Sequence, residues 1–342
     1  MAAQGAGGMA TISRPAGGIS TAVTKAVRAF CWAMLFCLFV FLINNYLNFW
    51  LGWPGAAVPF AGGEAGVPAL AWLQLAAYPI GAALAIVLVI ATSARTLRDE
   101  SVRISAMNAF IIRAAFFAVL YVGIADAIIS FLRVEGLLPG LFGEQMALDL
   151  GRSAFRGPYI HMPLVVLGIV TAVFSRTLGF TWLALLVVVA ELLIVITRFI
   201  FSYEQAFMGD LVRFWYAALF LFASAHTLLD EGHVRVDVFY ASFTGRKRGW
   251  TNALGSLLLG IPVCWVILIM GMGGKSDVIN SPLLSWETTQ TGFGMYVKYL
   301  MAGFLGIFAI SMMIQFVSYI MDATADLRDE PGGHDHSSHG MG

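Results

Sequence analysis

Eight apolar runs recur along the chain, at approximately 29–50, 69–91, 108–131, 159–175, 180–201, 212–229, 252–272 and 297–320. About 20 predominantly apolar residues, rising ~1.5 Å each as a helix, cross the roughly 30 Å hydrocarbon layer of a bilayer. Lipid offers no partner for a backbone amide or carbonyl, so a spanning segment must bond its backbone internally, as a helix does. The expected fold is an all-α integral membrane protein of about eight transmembrane helices. Composition agrees: of 342 residues, 59% are apolar and 12% charged, with a mean hydropathy of +0.81. Soluble domains carry roughly twice that share of charge.

The charges themselves balance, 20 basic against 20 acidic. No nucleic acid or acidic macromolecule is suggested as a partner. Cys31, Cys37 and Cys264 all fall within apolar runs. They read as small core residues rather than a disulfide or metal framework. Residues 1–24 are rich in Gly, Ala and Ser and read as a disordered leader. The run that follows is too long for a cleaved signal. With both termini on one side, and Arg113 and Arg198 inside spans, the basic residues divide twelve to six in favour of the side carrying the termini. The positive-inside rule makes that side cytoplasmic.

Two spans share a pattern. Asp126 is followed seven residues later by Arg133, and Glu191 seven residues later by Arg198. Seven residues is two helical turns, so each acid shares a face with its base, about 10 Å away. Each pair is followed by a Glu-Gln dipeptide, Glu144-Gln145 and Glu204-Gln205. An old duplication of a helix pair would produce this, as would coincidence in an apolar alphabet. A charge in or near the bilayer needs protein, water or a counter-ion. Glu191 and Arg198 therefore read either as a proton or ion relay, or as a packing acid with an arginine reaching the outer interface. The second is the simpler reading, since no further intramembrane acid lies nearby in sequence.

His226 closes the sixth run. Haem ligation would need an opposed histidine, yet His161 falls near the other membrane face, and neither has the ligand company zinc requires. No cofactor and no metal are expected. The densest polar cluster comes immediately after: Asp230, Glu231, Gly232, His233, Arg235 and Asp237. Val234, Val236, Val238, Phe239 and Tyr240, then Arg246, Lys247, Arg248 and Trp250, read as an amphipathic segment lying on the cytoplasmic leaflet. The outer loop 273–296 holds Lys275, Asp277, Trp286 and Glu287 and is long enough to meet an external partner. The tail histidines His334, His336 and His339 could bind a transition metal weakly or simply be disordered. The chain shows no phosphate-binding loop, dinucleotide fingerprint, nucleophile elbow or zinc-protease motif, so no enzyme is expected.

The stretch from Thr181 to Ala325 resembles a known family, the small membrane subunit (DctQ type) of tripartite ATP-independent periplasmic (TRAP) transporters. The resemblance rests on Arg198-Phe199 with Phe201, on Asp210 ahead of the next span, and above all on Gly232-His233-Val234-Arg235-Val236-Asp237, followed by the basic Arg246-Lys247-Arg248 turn. It implies a subunit of the bacterial inner membrane. Its partners would be a large membrane subunit carrying the substrate and sodium sites, and, transiently, a periplasmic solute-binding protein. It also implies a scaffolding role in uptake of small organic acids, with the polar motif, Arg198, Asp210, Trp250 and membrane lipids at the contacts. The chain departs from the family at the front. It divides into leader 1–24, a four-span extension 25–178, a family-like domain 179–325 and a His-rich tail 326–342. Two other classes compete: a membrane anchor of a redox complex, and a self-sufficient small transporter using Asp126 and Glu191 as coupling acids.

Overall fold

The computed structural model describes residues 21–60, 66–177, 179–203, 205–229, 240, 243–288, 294–328 and 330–331. Among them are eight helices long and apolar enough to cross a membrane. They are α1 Thr21–Trp50, α2 Ala69–Ala91, α3 Leu97–Val134, α4 Ser153–Phe174, α5 Phe180–Phe201, α6 Met208–Leu228, α7 Gly245–Met272 and α8 Lys298–Leu327. No strand occurs among the described residues, and the fold is the all-helical membrane bundle that apolar run length dictates.

Several helices outgrow their apolar runs, each for a local reason. α3 starts at Leu97 because Thr96 caps it: the Asp99 amide donates to Thr96 Oγ1 at 3.1 Å, and the Thr96 amide donates back to Asp99 Oδ2 at 3.5 Å. This reciprocal cap satisfies two amides that a helix start otherwise leaves unpaired. α1 starts at Thr21, so residues 21–24, expected in the leader, are helical; Arg328, just beyond α8, donates to Thr24 Oγ1 and ties the first turn of α1 to the end of α8. α7 starts at Gly245, which puts Arg246, Lys247, Arg248 and Trp250 in the first turns of a span rather than in a separate surface element. The preceding stretch 230–239 lies outside the described residues.

α3 and α8 form the centre, with 44% of their apolar windows buried against 11% for α5. On one side, Ile112, Phe116, Phe214, Trp215, Phe222 and Phe304 make an aromatic core among α3, α6 and α8. On the other, Cys31, Leu35, Ile104, Leu268, Met313 and Val317 join α1, α3, α7 and α8. Between α3 and α8 runs a polar seam. Ser318 Oγ lies 2.9 Å from Ser101 Oγ and 2.7 Å from Ser105 Oγ, while Asn108 Nδ2 donates to the Ser311 carbonyl at 3.0 Å and Gln315 Oε1 at 3.1 Å. In lipid, where burying carbon gives little preference between helices, such small residues and hydrogen bonds hold helices in register.

The other spans meet α3 at two levels. At one, Arg28 of α1 and Thr92, the C-cap of α2, gather on Glu100. Sixteen residues further along, Phe180, the first residue of α5, and Phe222 of α6 pack edge-on against Phe116.

Candidate functional site

The polar side chains sort into a sealed network at the far end of the bundle from the chain ends, a second network near those ends, and an exposed acid on α5. The first is built on α3 and α4. After a first turn at Ser153–Arg156, α4 widens into a π turn over Gly157–His161, in which the Met162 amide reaches back to the Gly157 carbonyl. Pro163 explains the widening: it cannot donate to the preceding turn, and its ring crowds the carbonyl there. The same arrangement recurs in α7, where a π turn over Ser256–Gly260 precedes Pro262.

The turn carries Arg156 and His161 onto Asp126. Arg156 Nη1 donates to Asp126 Oδ1 at 2.7 Å, His161 Nε2 lies 3.1 Å from the same oxygen, and the Tyr296 amide donates to Oδ2 at 2.8 Å. His161 Nδ1 lies 2.7 Å from the Tyr299 hydroxyl. With Nε2–H donating to the carboxylate, Nδ1 accepts from Tyr299, a tautomer assigned from these partners. Asp126, Arg156, His161 and Tyr299 are all 0% exposed. Around them, Tyr296 is sandwiched between the guanidinium carbons of Arg133 and Arg156, 4.5 and 4.4 Å from its ring centre. Trp286 closes the outside: a Cβ on Gly157 would sit 2.2 Å from its ring, and the same ring packs edge-on to Tyr299 at 5.0 Å.

The loop leading into α8 is held by a second carboxylate and a base. Asp210, at the start of α6, accepts from the Met295 amide at 3.1 Å, and Arg133 donates to the Gly294 carbonyl at 2.7 Å. Tyr203, between α5 and α6, donates to Glu135 at 3.0 Å, which pushes its phenol above the usual range through that hydrogen bond. Every lone pair that Asp126 commits is matched by a donor, with a guanidinium opposite. That is how an ionised group is tolerated out of water. Such a site fastens α3, α4 and α8 together.

The second network sits where α1 and α2 meet α3. Arg28 and Glu100, 2% and 1% exposed, form a bidentate pair, with Arg28 Nε 3.0 Å from Glu100 Oε2. Trp32 Nε1 adds a donor to Glu100 at 3.2 Å, and Arg28 donates to the Thr92 carbonyl at 2.9 Å. Arg98 bridges to Asp322 at 2.6 Å and Asp326 at 2.7 Å, joining α3 to the end of α8.

Of the residues singled out from sequence, Asp126 and Asp210 both clamp the 294–297 loop, which the sequence did not foretell. Glu191 stands apart from them, exposed at the middle of α5, and Arg198 is exposed on the same helix. His226 stacks on Phe180 at 5.1 Å and lines a cavity of about 10 Å³ with Asn108 and Gln315. It meets α3 at Asn108 whereas His161 meets it at Asp126, roughly 27 Å away along the helix, so one haem cannot use both. Among the described residues no three His, Cys, Asp or Glu side chains are grouped as a metal site would need. Arg248 lies over Tyr240 at 5.5 Å, and Tyr240 donates to Asn252 at 3.0 Å. Asp230, Glu231, Gly232, His233, Arg235 and Asp237 lie outside the described residues. Arg156, Tyr299, Arg28 and Glu100 were missed. The signal for Arg156 was its place five residues before His161, ahead of two prolines.

Such a molecule is a polytopic helical membrane protein whose buried charges fasten helices to one another. Its particular kinship is shown by the C-terminal half: residues 184–325 match the family of tripartite ATP-independent periplasmic transporters, DctQ component. α5 to α8 are thus the part of the chain that is similar to DctQ components of TRAP transporters, and α1 to α4 are additional apolar helices placed ahead of it. No curated protein and no solved structure matches the chain.

Proposed function

We propose that this chain is the small, non-catalytic permease subunit of a sodium-coupled TRAP-type transporter for small organic acids. It scaffolds the large membrane subunit, which carries the substrate, and meets the solute-binding protein transiently on the periplasmic side. The chain resides in the inner membrane with both termini cytoplasmic, as the excess of basic residues on that side favours. The observation that carries the scaffolding role is the sealed Asp126 network. Asp126, Arg156 and His161 belong to the added helices and Tyr296 and Tyr299 to the DctQ-type domain, so the two parts are fastened into one frame. A frame is useful to a transporter whose substrate-carrying part must move relative to something that does not. The four added spans widen that frame in lipid. The charge cluster from Asp230 to Asp237, with Arg246, Lys247, Arg248 and Trp250, serves as its cytoplasmic contact with the large subunit and with anionic lipid.

The reading is tested by co-expression with the large subunit. Arg235→Ala should lower recovery of the large subunit on the tagged small one, or lower the stability of the complex, and leave the binding protein's ligand affinity unchanged. Substrate uptake by proteoliposomes containing this chain alone would overturn it. So would normal complex yield and normal transport with Arg235→Ala for the role given to the motif.

A further inference from the structure

α5 presents an apolar surface with one acid in the middle of it. Val188, Glu191 and Val195 lie three and four residues apart and so share a face; Val188 is 62% and Val195 48% exposed. Glu191 is eleven residues from the start of the helix and ten from its end, about 16 Å from either, which is the middle of a bilayer. No described residue hydrogen-bonds or ion-pairs with it. α5 packs its other side, through Leu183 and Ala190, into the aromatic core. The acid therefore points away from the only protein present.

We infer that this stripe of α5 is a docking face for a membrane-spanning helix of the large subunit, and that this helix presents a hydrogen-bond-donating side chain to Glu191 at mid-bilayer depth. The inference rests on the proposed function and names the contact through which it operates. Hydrocarbon has no donor to offer, and a carboxyl group there is costly unless paired. A headgroup lies too far away, at the ends of the helix. A second copy paired two-fold through the same stripe would set two carboxyl groups against each other at one depth, which disfavours their charged forms. A donor on a different chain satisfies both the charge and the geometry. It also explains why α5 is the least buried of the eight spans, its surface being reserved for another protein.

The test is site-specific photo-crosslinking in membranes holding the full chain and its large subunit, with p-benzoylphenylalanine in place of Val188 or Val195, and in place of Val87 of α2 as a comparison position. Val188 and Val195 should crosslink to one helix of the large subunit. Glu191→Leu should lower that yield about three- to tenfold, and Glu191→Gln, which keeps an acceptor carbonyl, should lower it less. Crosslinks from α5 only to lipid or to a second copy, with the large subunit still co-purifying, would overturn the docking face and leave the proposed function standing. An unchanged yield in Glu191→Leu would overturn the role of the acid. Failure of the large subunit to co-purify with the unaltered chain would overturn both.

Discussion

Asp126 with Arg133 and Glu191 with Arg198 are the same pattern in sequence, an acid and a base two helical turns apart in an apolar span. The fold treats them as opposites. Asp126 is wholly enclosed, with Arg156, His161 and the Tyr296 amide around it, and its own Arg133 turns instead to the Gly294 carbonyl. Glu191 is exposed at mid-span. The helix each sits on decides the difference. α3 is the central span, packed against α4, α6 and α8, and Asp126 lies on its protein-facing side. α5 is peripheral, and a side chain on its outer face meets whatever surrounds the bundle. An intramembrane acid is thus an internal fastener when its helix is central and a request for a partner when its helix is peripheral.

The largest effect that could break this contrast comes from removing the acids themselves in the isolated, detergent-purified chain. Asp126→Ala strands Arg156 in a dry interior and should cost about 3–5 kcal/mol in unfolding free energy. Adding Arg156→Met to that variant should restore part of the loss, because the uncompensated charge is gone. Glu191→Ala, with no hydrogen-bond or ion-pair partner among the described residues, should shift stability by less than about 0.5 kcal/mol. Equal losses for the two acids, read by chemical unfolding monitored through tryptophan fluorescence, would erase the distinction between fastener and docking residue.

A smaller effect sharpens what seals the first acid. Gly157→Ala places a methyl group 2.2 Å from the Trp286 ring, closer than atoms can approach, so the indole must move off the network. Trp286 already sits at a positive φ of 52° and packs against Trp50 as well as Tyr299, which leaves it little room to yield. Overpacking of this kind costs about 1–3 kcal/mol. Hydrogen exchange at the 294–297 backbone should rise in step, since the Met295 and Tyr296 amides lose their rigid acceptors. The corresponding change at Gly140, also helical but with nothing within 4 Å, is the comparison that carries no crowding.

How much of this could be read beforehand follows from the range of each interaction. The spans were legible because length and apolarity are local, and the eight runs correspond one to one with α1–α8. Their ends were less so. The Thr96–Asp99 cap extends α3 past its apolar run, and it shows only as a threonine followed three residues later by an acid. Arg156 lies ahead of the apolar run at 159–175, between Gly151 and Gly157-Pro158, where the sequence reads as a connector. Only the π turn, itself a response to Pro163, shows that the stretch is helical and that its arginine points inward. The partners of the network lie 30 to 170 residues apart in sequence, and no spacing rule links Asp126 to Tyr296 or His161 to Tyr299. For Glu191 the residue was visible but the face was not, since amphipathic patterning loses its meaning when lipid replaces water outside the bundle.

The subtlest expected effect lies at the edge of the sealed network. Tyr299→Phe removes a single hydroxyl that donates to His161 Nδ1, leaves the ring under Trp286, and keeps the helix contacts of α8. A buried acceptor loses its donor, so the cost should be about 1 kcal/mol, well below that of Asp126→Ala. The tautomer is the more telling readout. With Tyr299 donating, His161 must carry its proton on Nε2 toward Asp126; without it, Nδ1 has no donor to hold that preference. Nitrogen-15 NMR of the imidazole should show the Nε2–H tautomer alone in the unaltered chain and a second, Nδ1–H tautomer in Tyr299→Phe. An unchanged tautomer would mean that Asp126 alone orients the ring and that the network ends there. A shifted one would show that α8 reaches through His161 to the acid on α3, which ties the DctQ-type domain to the added helices by a chain of hydrogen bonds as well as by packing.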